Sequence, residues 1–125
     1  MKRLIIDLDD TITDGSSSPD YANKAPNQAI VERLREYHKR GFEIVIHTSR
    51  NMRTHSGNVG KINVQTLPGI TAWLEKHEIP HDEIWVGKPW CGFEGFYIDD
   101  KAIRPDEFVS LSYDQIRKLT KIDKP

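Results

Sequence analysis

KRLIIDLDDTIT, residues 2–13, packs three aspartates, Asp7, Asp9 and Asp10, against the end of a short apolar run. Like charges that close repel by about 4 kcal/mol per pair at a separation of ~4 Å and an effective dielectric near ~20. A solvated loop tolerates such a cluster. The tail of a buried strand tolerates it only with something positive nearby. Residues 3–8 are almost continuously apolar up to the first aspartate, which predicts a strand covered on both faces, as in a parallel sheet.

Outward from that strand, apolar runs alternate with helical patterns. The turn-rich TDGSSSPDYANKAP predicts a loop or small flap over 12–26. Asn27 is placed to cap a helix running to Arg40, with Ile30, Leu34 and Tyr37 on one face and Gly41 ending it. FEIVIHT (42–48) predicts a second buried strand, and residues 50–65 a loop. Thr66 is placed to cap a helix carrying Ile70, Trp73 and Leu74 that must stop before Pro80. EIWVG (83–87) and GFYID (95–99) predict short strands, and SYDQIRKLTKI (112–122) a closing helix. The alternation predicts an α/β fold: one Rossmann-like domain over 1–125, a parallel sheet with helices on both faces and no large cap.

Composition narrows the function classes. Eighteen lysines and arginines against nineteen aspartates and glutamates give a formal net charge of -1, without the basic excess of a nucleic-acid binder. No apolar stretch approaches the ~20 residues of a membrane span. Cys91 is the single cysteine, so no intrachain disulfide forms, and a reducing, cytoplasmic setting is expected.

Parallel sheets hold ligands at the carboxyl ends of their strands. The predicted strands run into Asp7-Leu8-Asp9-Asp10-Thr11, His47-Thr48-Ser49-Arg50, Gly87-Lys88-Pro89 and Asp99-Asp100-Lys101. Each alone is unremarkable, since Asp10 or Asp100 can form turns and Thr48 can cap a helix. Together at one sheet edge they read as a site. Asp7, Asp99 and Asp100 offer hard oxygen ligands suited to magnesium, which keeps several waters. That cation neutralises the acidic cluster and lets a phosphate dianion approach. Alternate residues of an extended chain point the same way, so Asp7 and Asp9 both face that phosphate, one able to attack phosphorus and the other to shuttle a proton. Thr48, with Ser49 beside it, offers hydroxyl donors, and Lys88 a fixed positive charge for phosphoryl oxygens.

LIIDLDDTIT, IVIHTSR, VGKP and YIDD resemble, in order, the four motifs of the haloacid dehalogenase superfamily of phosphotransferases. Over nearly the whole chain, YANKAPNQAIVERLREYHKRGFEIVIHTSRNMRTHSGNVGKIN and GKPWCGFEGFYIDDKAIRP are similar to the small capsule-biosynthesis phosphatases. The resemblance implies Asp7 as nucleophile, Asp9 as acid/base, Thr48 and Lys88 as phosphate binders, and Asp99 and Asp100 as magnesium ligands alongside the Asp9 carbonyl. It also implies a small phosphorylated metabolite, such as a sugar phosphate of surface-polysaccharide synthesis, as substrate. Arg50, Asn51, Arg53, His55 and Lys61, with Trp90 and Arg104, are candidates for recognising an anionic or hydroxyl-rich leaving group. The apolar Pro89, Trp90, Phe93 and Phe96 beside Lys88 predict a homo-oligomer.

Other signals are weaker. HEIPH (77–81) matches the zinc-protease string, but Pro80 breaks the helical turn its two histidines need. GNVGKI has His55 where a P-loop needs its first glycine and Ile62 where it needs a hydroxyl, and Tyr97 stands where a cysteine phosphatase at Cys91 needs arginine. A phospho-receiver signalling module also has an acidic pair and a Lys-Pro. Its acceptor aspartate, however, sits on a strand that here ends in His47-Thr48-Ser49.

Overall fold

The computed structural model describes residues 2–122, which group into two compact units, Met1–Trp90 and Cys91–Pro125. The architecture is α/β, with three parallel strands and five α-helices among the described residues.

In the first unit the strands are β1 (Arg3–Ile6), β2 (Glu43–His47) and β3 (Glu83–Trp85), in the order β1-β2-β3. Register runs Arg3↔Glu43 to Ile6↔Ile46 and Val45↔Glu83 to His47↔Trp85, so all three strands end on the same side. Consecutive Ile44, Val45 and Ile46 are all buried, as a central strand covered on both faces requires. β1 departs from the expected two-sided burial: it is an edge of the three-stranded sheet, and Ile5 is exposed while Ile6 is buried.

Helix α1 (Gln28–Lys39) starts where expected, with the Asn27 side chain accepting from the Ile30 N–H, and it buries Ile30, Val31, Leu34 and Tyr37. Burying each such aliphatic side chain stabilises the fold by roughly 1.5–3 kcal/mol. Gly41 follows at φ +91°, a left-handed turn that a side chain resists. The stretch expected as loop contains a helix, α2 (Val59–Gln65), whose start is satisfied by Asn58 accepting from the Lys61 N–H. Thr66 occupies the N-cap position of α3 (Leu67–Lys76) as expected, but its side chain makes no capping bond. It is also the C-cap of α2, its backbone is already helical, and its hydroxyl donates to Asn51 Oδ1. A cap needs an extended backbone to turn its oxygen onto the following N–H groups. The flap over 12–26 is turns, a Thr13–Pro26 bridge and a short 3-10 helix, Tyr21–Asn23; Lys24 Nζ bonds the Gly15 and Ser18 carbonyls within it.

The second unit contains α4 (Pro105–Ser110), which has no counterpart in the sequence-based expectation, and α5 (Tyr113–Thr120). α5 opens on a reciprocal cap: Ser112 Oγ accepts from the Gln115 N–H while Gln115 Oε1 accepts from the Ser112 N–H. Lys101 Nζ bonds the carbonyls of Thr120 and Lys121 at its far end, where the helix dipole favours a cation. The strand expected at 95–99 is not formed. A strand exists through its ladder, and the described residues of this unit hold no other strand to pair with.

Candidate active site

At the end of β1 the chain turns abruptly. The Leu8 carbonyl accepts from the N–H groups of Thr11, Ile12 and Thr13, and the Asp10 N–H donates to Thr13 Oγ1. Asp10 takes the left-handed conformation, φ 60°, which aspartate tolerates better than most residues. Its carboxylate fills the space where a Cβ on Gly15 would lie, so Asp10 belongs to the turn. Asp7, ahead of the turn, accepts from Thr11 Oγ1 at 3.1 Å through Oδ2. Its other oxygen, Oδ1, faces Lys88 Nζ at 3.5 Å.

The end of β2 lies beside the end of β3. Thr48 N–H donates to the Trp85 carbonyl, and the Thr48 carbonyl accepts from Lys88 N–H. That exchange fixes the Lys88 backbone against the Thr48 loop, and Gly87 at φ +85° makes the bend. Thr48 is 1% exposed, and its Oγ1 accepts from the Arg50 N–H at 3.1 Å. A hydroxyl that accepts there still carries its own proton as a donor. His47, one residue earlier, has its pKa lowered from the usual value by burial and by the Lys88 charge, with Asp7 pulling the other way.

Asp9 meets Arg50. Arg50 Nη2 lies 2.7 Å from Asp9 Oδ1 and Nε 3.1 Å from Oδ2, and the guanidinium carbon stands 4.0 Å from the centre of the Tyr21 ring. The first unit therefore brings Asp7, Asp9, Thr48, Arg50 and Lys88 to the carboxyl end of the sheet. Ser49 follows Thr48 half-buried, its carbonyl accepting from the Met52 N–H.

The remaining candidates are placed otherwise. Asn51 shapes its own turn: Oδ1 accepts from Thr66, Nδ2 donates to Thr54, and φ is 61°. Arg53 and Lys61 are exposed and His55 half-buried. Trp90 closes the first unit and is exposed. Asp99, Asp100 and Arg104 belong to the second unit, where all three are exposed. Asp99 Oδ1 accepts from the Lys101 N–H, and the Arg104 N–H donates to Glu107 Oε1 at the start of α4. Among the described residues, no three histidine, cysteine or acidic side chains gather as a ready metal cage. An open cleft of about 440 Å³ lies along Asp10, Thr13, Asp14, Gly15, Ser16 and Asn27.

No family model and no curated protein matches the chain. A crystal structure of a structure-determination target from Vibrio cholerae does, at 59% identity and a TM-score of 0.93, over 99% of this chain and 100% of that one. The chain belongs to that protein's family. Kinship of this kind carries the fold and leaves the chemistry to the residues.

Within this family fold, Thr11, Tyr21 and His47 join the site although sequence reasoning did not single them out. Thr11 was legible in principle, four residues past Asp7 in a turn that must close back on its own strand. Tyr21 carried no signal, because a flap residue's partner is set by tertiary packing. No helix of the described residues is long and apolar enough to cross a membrane.

Proposed function

We propose that the chain is a magnesium-dependent phosphomonoester hydrolase acting through an aspartyl phosphate. The observation that carries this reading is the 3.5 Å pairing of Asp7 Oδ1 with Lys88 Nζ at the mouth of the sheet, beside the buried hydroxyl of Thr48. Carboxylate, ammonium and hydroxyl converge where an anion with a reactive centre would sit.

Asp7 attacks phosphorus, and the bond from phosphorus to the leaving oxygen breaks. Asp9 gives its proton to that oxygen. Water then attacks the aspartyl phosphate and yields a proton to Asp9, releasing inorganic phosphate and restoring Asp7. Lys88 and Thr48 hold the phosphoryl oxygens while charge builds on them, with the Ser49 hydroxyl assigned beside them. The donor chemistry suits magnesium: the Asp7 carboxylate and the Asp9 carbonyl are hard oxygens, and the ion needs only one or two carboxylates because it keeps its waters. Asp99 and Asp100 are assigned to it by the resemblance. Bound there, magnesium would supply charge neutralisation for the incoming dianion.

The substrate class under this reading is a small phosphorylated metabolite, a sugar phosphate of surface-polysaccharide synthesis first among them. Exposed Phe93 and Phe96 support a homo-oligomer as part of it; active protein that scatters light as a monomer would remove that part. Phosphate release from a panel of phosphorylated metabolites with magnesium tests the whole. Turnover that disappears in Asp7→Asn supports it, and a stable phosphoryl-protein that releases no phosphate would favour a receiver-like module instead.

A further inference from the structure

Arg50 was a candidate for gripping substrate, yet its guanidinium is already committed. Two of its N–H groups fork onto both oxygens of Asp9, at 2.7 and 3.1 Å. The Arg50 side chain is only 5% exposed against 28% for Asp9, so the exposed end of the pair is the carboxylate. Tyr21, carried by the flap, lies over the guanidinium at 4.0 Å, and the Arg50 backbone is tied to Thr48 Oγ1. A forked arginine holds a carboxylate in one plane and one direction, as a lysine cannot. Each carboxyl oxygen of Asp9 has more than one lone-pair site, and the fork takes one on each. The others stay available to exchange a proton.

We propose that Arg50 is a positioning residue: it aims the Asp9 carboxylate at the leaving-group oxygen, and Tyr21 shields the fork from water. This rests on the phosphatase reading. A substrate anion on Arg50 would have to displace Asp9 and enter a space with almost no exposed guanidinium. The flap thereby reaches the acid/base through a chain of two contacts, Tyr21 to Arg50 and Arg50 to Asp9.

The experiment uses a series of aryl phosphates, from p-nitrophenyl phosphate to phenyl phosphate, with magnesium. An acidic leaving group departs without a proton, whereas a basic one needs Asp9. Arg50→Gln is expected to lower kcat by roughly 10²-fold on phenyl phosphate and by far less on p-nitrophenyl phosphate, with KM nearly unchanged. Arg50→Lys should recover part of the loss, and Tyr21→Ala should show a smaller loss of the same pattern. Asp9→Asn/Arg50→Gln should be little worse than Asp9→Asn, because residues acting through one another are not additive.

A raised KM with kcat preserved would overturn the proposal and make Arg50 a substrate ligand. An equal loss across the series, or additive losses in the double variant, would overturn it as a merely structural effect. Should Arg50→Gln fail to fold, Arg50→Lys and Tyr21→Ala carry the same test. Wild-type protein inactive on the whole series and on the metabolite panel would instead sink the phosphatase reading, and this proposal with it.

Discussion

Lys88 Nζ and Asp7 Oδ1 stand 3.5 Å apart, joining the end of β1 to the loop three residues past β3 across the width of the sheet. With Arg50 on Asp9, the lysine supplies the positive charge that the acidic cluster after β1 needs, brought by the fold from 81 residues away in sequence. Under the proposed phosphatase reading, its charge would serve the carboxylate before substrate arrives and the phosphoryl oxygens afterwards.

Removing that charge should slow the chemistry more than it weakens the fold. Lys88→Met is expected to cost on the order of 10²–10³-fold in kcat, the usual loss on removing one transition-state donor. Asp7→Asn should abolish turnover, since an amide does not attack phosphorus. Steady-state phosphate release measures both, and wild-type rates in either variant would refute the assigned roles.

Chelation should silence the protein, and magnesium should restore it. Calcium is larger and takes more ligands, so it should bind without supporting turnover and should compete with magnesium. Full activity in excess chelator would contradict the metal assignment.

His47 predicts a pH dependence of stability. Burial and the Lys88 charge hold its folded pKa below the ordinary 6.5, with Asp7 opposing. The unfolded chain therefore binds the proton more readily than the folded one. Its contribution is complete above about pH 6.5 and falls away as pH drops through the lower folded value. Urea unfolding between about pH 7.5 and about pH 5 should lose less stability in His47→Gln than in wild type; identical slopes would remove His47 from the account.

Gly87 sets the bend that presents Lys88. At φ +85° a side chain costs about 1–2 kcal/mol, and a Cβ there would also lie 2.9 Å from Val59 Cγ2. Val59 can turn aside, so strain dominates. Gly87→Ala should lower stability by that amount in denaturant melts and reduce turnover as Lys88 shifts. An unchanged midpoint would mean that the bend relaxes freely.

Local chemistry was readable wherever one short stretch contains its own partners. Asn27 was expected to cap α1 and does so because an extended residue with a short polar side chain meets the N–H three positions on, whatever the rest of the chain does. The same locality made the β2 core legible, whereas the turn that follows β1 at Leu8–Thr13 replaces an expected strand through Leu8. Helix α2 escaped because its polar, glycine-containing run GNVGKINVQ looks like loop until Asn58 is seen to cap it.

Periodicity and caps act over a few residues, so the strand-and-helix alternation, the parallel sheet, and the strand ends that carry Asp7, Thr48 and Lys88 could all be read from the residues alone. Folding in three dimensions was needed to give Arg50 to Asp9 and Tyr21, to send the Thr66 hydroxyl to Asn51 rather than to its helix, and to leave 95–99 without a strand in its own unit. The reason is physical. A charged fork or a β-ladder takes its energy from a partner distant in the chain, and no local pattern of residues encodes which partner the fold will bring.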